Sequence, residues 1–364
     1  MSSGWPIAGA GTSTAGFIAP LPEDFIAPRL VRSWREFADT YGTGAGGDQK
    51  PAKATLAEAV YGFFANGGGK CFVAGTTGDG LAAYTSALTA LETVPDVHMV
   101  VVPELWKSEA DAPAIAKAVA GHCVRTGNRM ALLHTQQGVS VEDVAKTPGL
   151  FGLDETEAQF SAVYYPWVEV PGIDGTARVV PPSGHVAGIW ARTDAERGVF
   201  KAPANCGVRG ATGVATAVTD AEQGPANEAG VNCLRVFPDR GLLVWGARTL
   251  STARDWKYVN VRRLVNFLND SIRQSSTWAV FETDNEQLRA KLKQATSTFL
   301  TDQWRQGALM GSTLNEAFYV ICDDTNNTSE TDKEGHVLID IGIAPIRPAE
   351  FIQFRVTQVA GAQE

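Results

Sequence analysis

The sequence contains no run of 18 or more apolar residues, so it holds no candidate membrane-spanning helix. It has only five cysteines, Cys71, Cys123, Cys206, Cys233 and Cys322, and no CxxC pair. That spacing removes support for a zinc ribbon or a redox dithiol. Most of these cysteines stand beside apolar residues, as in Lys70-Cys71-Phe72-Val73, the pattern of reduced, buried thiols in a protein made in the cytoplasm. Positive charge is in deficit: 31 Lys+Arg face 40 Asp+Glu, a net charge of -9. A whole-chain electrostatic grip on nucleic acid or on an anionic membrane is therefore not expected. Residues 1–10 carry neither the positive charge nor the apolar stretch of a secretory signal. The five histidines, His98, His122, His134, His185 and His336, show no metal-binding spacing, and structural roles are expected for them.

What is present is a globular mix, 44% hydrophobic and 20% charged over 364 residues, enough for two or three domains with their own cores. A strand is expected at 14–19, then a proline-stiffened loop and a helix capped by Ser33 with Glu36 three residues on. Leu56, Val60 and Phe63 recur at helical spacing over 54–65. From 71 to 133 short apolar strands (71–74, 97–102, 130–133) alternate with helices (80–92, 111–126). This rhythm predicts an α/β fold with a parallel-rich sheet covered on both faces. Tyr164 to Val170 reads as an edge or bulged strand broken by Pro166. Ser183 to Arg197 reads as a helix, and 208–218 as extended.

The last third has a different pattern. Strands at 231–237 and 242–249 flank the turn Pro238-Asp239-Arg240-Gly241. A helix over 257–275 places Val261, Leu264, Leu268 and Ile272 inward and Arg262, Asn266, Asn269 and Arg273 outward. A second helix starts at Thr283-Asp284-Asn285-Glu286, and strands follow at 316–322, 336–344 and 350–359. The pattern is that of a separate α+β domain.

Several letter patterns imitate active sites. Gly42-Thr43-Gly44-Ala45-Gly46-Gly47 fits a dinucleotide fingerprint but follows a helix instead of a strand. Asn66-Gly67-Gly68-Gly69-Lys70-Cys71 lacks the first glycine and the Ser or Thr of a phosphate loop, and reads as a turn. Asp323-Asp324-Thr325-Asn326-Asn327 is rich in oxygen but lacks the glycine and terminal glutamate of an EF-hand loop. Gly11-Thr12-Ser13-Thr14 resembles the nucleophile segment of subtilisin-like proteases, yet Ser13 precedes every possible partner, the reverse of that family's chain order. No catalytic residue, cofactor site or metal site is expected.

Several segments together resemble one family. They include Tyr164-Tyr165-Pro166-Trp167, Pro181-Pro182-Ser183-Gly184-His185-Val186-Ala187-Gly188-Ile189-Trp190, Gly198-Val199-Phe200-Lys201-Ala202-Pro203, and Arg240-Gly241-Leu242-Leu243-Val244-Trp245-Gly246-Ala247-Arg248. Their order and spacing, from about residue 11 to 359, are similar to contractile tail sheath proteins of phage tails and phage-tail-like injection systems. The resemblance implies a structural protein and not an enzyme. It implies a subtilisin-like middle domain without a protease triad at 31–230, an N-terminal strand and short arm at 1–30, an α+β sheath domain at 231–348, and a C-terminal strand-exchange arm at 349–364.

The implied partners are other copies in stacked hexameric rings, an inner tube, and baseplate and tail-terminator proteins, with no nucleic acid and no membrane insertion. Contraction would drive the tube through a target envelope. The rival readings are an inactive subtilase-like protein or another soluble α/β binding protein with no assembly role. Family members carry an N-terminal arm with its own strand. Only ten residues precede Gly11 here, which leaves three readings open: a minimal sheath, a paralogue at one end of the tail, or a chain with a different true start.

Two sets of residues are candidates for assembly. Phe351, Ile352, Gln353, Phe354, Arg355, Val356 and Thr357 alternate as a half-buried strand does, and are expected to pair with a neighbour. Arg289, Lys291 and Lys293 place three cations within two helical turns of an acidic chain and are candidates to face the tube.

Overall fold

The computed structural model describes residues 6–43, 54–328 and 336–350. The α/β rhythm builds a nine-stranded sheet. Its strands are β1 (Ala15–Pro20), β2 (Arg29–Val31), β3 (Cys71–Thr76), β4 (Met99–Val101), β5 (Met130–His134) and β6 (Ser161–Tyr165). After β7 (Val168–Val170) and β8 (Arg178–Val180) come β9 (Cys206–Gly207), β10 (Gly213–Val214), β11 (Val231–Phe237) and β12 (Gly241–Val244). The spatial order is β2-β3-β1-β4-β5-β6-β11-β12-β9, while β10-β7-β8 form a second, three-stranded sheet. Strands from β3 to β11 run parallel; β2, β12 and β9 are antiparallel additions at the two edges. Every residue of β1, β4, β5 and β6 is buried, as expected of parallel strands covered on both sides.

The helices of this unit are α1 (Trp34–Tyr41), α2 (Ala54–Ala65), α3 (Leu81–Glu92), α4 (Ala112–Thr126), the short α5 (Val141–Val144), α6 (Thr147–Leu150) and α7 (Glu155–Gln159), then α8 (Ser183–Arg197) and α9 (Asp220–Glu228). Neighbouring residues of β1 show the layering. Phe17 packs edge-on against Phe63 of α2 at 5.7 Å, whereas Leu91 of α3 fills the space where Gly16 would carry a Cβ. Successive strand residues point to opposite faces, so α2 and α3 lie on opposite sides of the sheet. α8 joins α2 on its side, and α4 joins α3.

Two expectations need correction here. The strands at 231–237 and 241–244 belong to the main sheet, not to a unit starting at 231, because β11 pairs in parallel with β6. β6 is also not an edge strand: it lies between β5 and β11. Pro166 follows the last residue of β6, where its missing N–H costs the ladder nothing, and there the chain leaves the main sheet for the smaller one.

The C-terminal unit holds α10 (Val259–Ser275), α11 (Glu286–Arg305), α12 (Leu314–Ala317), β13 (Phe318–Ile321) and β14 (Asp340–Ile343). Its core gathers Leu264, Leu268, Ile272, Phe299, Leu300, Leu309 and Val320. α11 is capped by Asn285, which accepts from the Leu288 N–H, instead of starting at Thr283. The polar face of α10 is not outward as a whole. Asn269 and Arg273 are exposed, but Arg262 and Asn266 are buried. The reason is tertiary: α10 is covered by its own unit on one side and by the sheet unit on the other. The Arg262 guanidinium stacks over Phe160 at 4.5 Å and Trp256 at 4.2 Å, and donates to Gln159 and Asn266. Burial lowers its pKa to about 10. Residues 8–12 run along the same helix: the Ala8 and Ala10 N–H groups donate to Ser275 and Ser271.

Four histidines lie in the core. Burial lowers His134 to about 3 and His98 and His185 to about 4; burial, then the neighbouring Arg129, lowers His122 to about 4. In the unfolded chain each would titrate near about 6.5. Between that value and about 4 the unfolded state binds more protons, so stability is full above the unfolded pKa and falls with acidification. The slope is about 1.4 kcal/mol per histidine per pH unit. Urea midpoints should decline steadily from about pH 7 to about pH 4.5. A flat profile would contradict the buried, neutral state of these rings.

Candidate functional site

Among the described residues no group of three or more His, Cys, Asp or Glu side chains is placed to hold a metal ion. The segments that imitate active sites have structural positions. Ser13 is half-buried immediately before β1. Asn66 to Lys70 form the turn from α2 to β3, with Gly67 at φ 110 and Lys70 paired to Asp96 at 3.2 Å. Asn326 and Asn327 are braces: the Asn327 side chain donates to the Leu338 carbonyl and accepts from the Leu338 N–H, holding the chain that enters β14. Residues 44–47 of the glycine-rich segment lie outside the described residues.

The candidate assembly feature is the β13–β14 sheet. Among the described residues it has two strands, in register Phe318↔Ile343 to Ile321↔Asp340. A lone two-stranded ribbon is marginal in water, and its outer edges present unpaired backbone groups. Beyond β14 the chain makes one further bridge, Leu309↔Pro345. The face of the sheet is partly apolar and uncovered: Tyr319 is 58% exposed, and its ring lies across Gly342 on the facing strand. One side of the ribbon packs on α11, which leaves the edges as the natural place for added strands.

The seven expected exchange residues, Phe351 to Thr357, lie outside the described residues. Their point of departure is well defined. Glu350 accepts from Arg248 Nε at 2.7 Å and Nη2 at 2.5 Å, and from Tyr258 Oη at 3.2 Å. Arg248 is buried and also donates to the Asn227 carbonyl. Burial pushes the Glu350 carboxyl up, but the bonds and charge of Arg248 outweigh it and hold the carboxyl below the usual range. Arg347 adds a second tie, to Asp255 at 2.7 Å. Sequence patterning missed this clamp, since its partners lie 92 to 123 residues away.

The three candidate cations on α11 differ from one another. Arg289 is buried and engaged by Asp284 at 2.7 Å and Asp324 at 3.0 Å, so its charge is used inside the protomer. This corrects its reading as an outward cation: helical spacing shows neighbours on α11 but not the loop acids that close over it. Lys293 is half-exposed and pairs with Asp323 at 2.9 Å. Lys291 is exposed and has no ion-pair partner among the described residues.

Known proteins share this arrangement. The model of the phage tail sheath protein central domain matches residues 78–250, and that of the phage tail sheath C-terminal domain matches 251–358, together well over half of the chain. The family boundary at 250 follows β12, where the main sheet is complete. A putative prophage major tail sheath protein of Pseudomonas aeruginosa is 29% identical over 184 residues, covering 50% of this chain and 46% of the relative. The chain thus spans about half the length of that relative. Among solved structures, the helical sheath of the anti-feeding prophage (AFP) in its contracted state superposes with a TM-score of 0.84 at 29% identity, covering 98% of this chain and 96% of that one. The contracted sheath complex of PVC, an extracellular contractile injection system, gives 0.82 at 29% identity over 97% and 93%.

Proposed function

Because the chain belongs to the phage tail sheath family, we propose that it is a structural sheath subunit of a contractile tail or injection system. It polymerises as stacked hexameric rings around an inner tube, and contraction drives the tube through a target envelope. The observation that carries this reading is the near full-length likeness to sheaths in a contracted state. The β13–β14 sheet, two-stranded among the described residues, supports strand exchange as the linkage. On this reading the partners are other copies, the tube, and baseplate and tail-terminator proteins, and the chain is made in the cytoplasm before it joins the particle. The sheet unit is a non-catalytic relative of the subtilisin-like fold, a reading that its parallel order β3-β1-β4-β5-β6-β11 and helices on both faces support.

Residues 351–357 add a strand to the β13–β14 sheet of a neighbour. Each backbone bond of such a strand contributes about 0.5–1.5 kcal/mol net, so a short strand links bodies that move relative to one another. Lys291 and Lys293 face the tube and steer assembly more than they add affinity. The Arg248–Glu350 clamp fixes where the exchanging strand leaves its own body.

Electron microscopy of the recombinant chain, alone and co-expressed with its tube, tests the assembly. Stacked rings or helical polymer are expected, and a monomer under both conditions would reject the reading. Truncation after Glu350 should leave a folded monomer with native circular dichroism that builds no polymer. Normal polymer from the truncated chain, or its unfolding, would reject the strand exchange.

A further inference from the structure

We propose that the cationic groove between the end of α8, β9 and the start of β12 receives the Val280–Glu286 tip of a second copy of this chain. The proposal rests on the sheath reading above and names one of its contacts. The groove has a volume of about 700 Å³, and Arg192, Arg197, Lys201, Arg209 and Arg240 line it, against one lining carboxylate, Glu196. None of these five cations has an ion-pair partner among the described residues. Several arginines elsewhere on this acidic chain are neutralised by carboxylates, as Arg178, Arg235, Arg248, Arg263 and Arg289 are. Five unpaired cations in one groove are therefore a local excess that the protomer does not neutralise.

The groove is also organised in advance. Arg192 donates through Nη2 to the Gly207 carbonyl at 2.6 Å, while its Nη1 is buried with no hydrogen-bond partner. Burial, then the charge of Arg209, lowers the Arg192 pKa, which an incoming carboxylate would reverse. Arg240 is held over Phe237 at 4.7 Å and Trp245 at 5.2 Å and donates to Asn205 at 2.9 Å. Asn205 itself stands at φ 59, an uncommon conformation for a residue other than glycine. Val208, Ala211 and Leu242 supply an apolar part of the lining.

The complementary feature lies in the C-terminal unit. Phe281 is 103% exposed at φ 68, and Val280 beside it is 61% exposed. A bulky aromatic fully in water and at positive φ has no use in the protomer core. Glu282 and Glu286 follow it in the same tip, both exposed and without an ion-pair partner among the described residues. An exposed ring followed by two exposed carboxylates on one tip is complementary in kind to a groove that offers apolar side chains and guanidinium groups, which bind carboxylates with two parallel bonds. Tip and groove are different patches of one chain, so the contact is heterologous, the type that propagates into helical assemblies.

The test is a charge exchange in the full-length chain, read as polymer yield by sedimentation and electron microscopy at low salt, with thermal midpoints as the control on folding. Arg197→Glu with Arg209→Glu should reduce polymer about tenfold or more, and so should Glu282→Lys with Glu286→Lys. The four changes together should restore it. Phe281→Gly separates this role from a merely structural one: it relieves the backbone at positive φ, so the monomer should melt no lower while polymer is lost. Wild-type and variants that all polymerise alike would overturn the contact and leave the sheath reading standing. Losses in the groove variants without rescue by the tip variants would assign the groove to another acidic partner and overturn the second copy as occupant. A wild-type chain that stays monomeric with and without tube would overturn both.

Discussion

Gly188→Val should leave almost no folded protein, and Gly184→Val should come close to it. A Cβ at Gly188 would lie 2.3 Å from the Phe63 carbonyl oxygen and 2.7 Å from Asn66 Cβ; at Gly184 it would lie 2.3 Å from the Ala59 carbonyl oxygen. These obstacles are mostly backbone of α2 and cannot swing aside. The two helices would have to separate along a contact whose small residues, Gly184, Ala187, Gly188 and Ala191, recur on one face of α8, while Gly62 of α2 lies against the His185 ring of the same helix. Separation would also disturb Asn66, which donates to the Gly62 and Arg209 carbonyls and accepts from the Arg209 N–H. Overpacking costs about 1–3 kcal/mol where side chains can yield, and more against backbone, out of a total stability of about 5–15 kcal/mol. Soluble yield and thermal midpoint measure the effect. Gly69→Ala and Gly78→Ala, where nothing lies within 4 Å, should be near neutral. Near-native melting of Gly188→Val would show that the helices are not locked at this distance.

Asp194→Ala should be the most damaging single polar change. Asp194 accepts from Arg263 Nη1 at 2.8 Å and Nη2 at 2.5 Å and from Thr12 Oγ1 at 2.6 Å. Both charged side chains are almost fully buried, at 6% and 3% exposure. The Arg263 guanidinium also lies over Trp190 at 4.7 Å and donates to the Thr12 carbonyl. One carboxylate thus ties the segment before β1, the end of α8 and the second turn of α10, and with them the two units. Removing it leaves a buried guanidinium without its counter-charge, a loss of about 3–5 kcal/mol. The double change Asp194→Leu with Arg263→Met should cost much less than the two single changes added, because no lone charge is then left buried. Denaturant melts of the four proteins in this cycle give the answer. Additive losses would mean that the pair is not coupled as the geometry requires.

The α/β character was legible from the sequence because it rests on period. Apolar runs such as Met130 to Leu133, and the 3.6-residue recurrence of Leu56, Val60 and Phe63, carry their own secondary structure. The Ser33 cap was legible for the same reason, since its bond to the Glu36 N–H spans three residues. Family membership was legible in motif order.

Long-range geometry decided the rest. Amphipathic spacing identifies one buried face of α10, but Arg262 and Asn266 are buried by a second body that local sequence does not announce. β11 and β12 looked like the start of a new unit, yet parallel pairing with β6 across 68 residues places them in the first. The small face of α8 was written in its residues, but only the closeness of α2 shows that no larger side chain fits. Arg289 and Lys291 are equivalent as cations on one helix; loop acids that fold over one and not the other make them different. A side chain's type and local period are properties of the sequence, whereas what it is buried against, and whether its charge is already used, depends on segments that meet only in the folded chain.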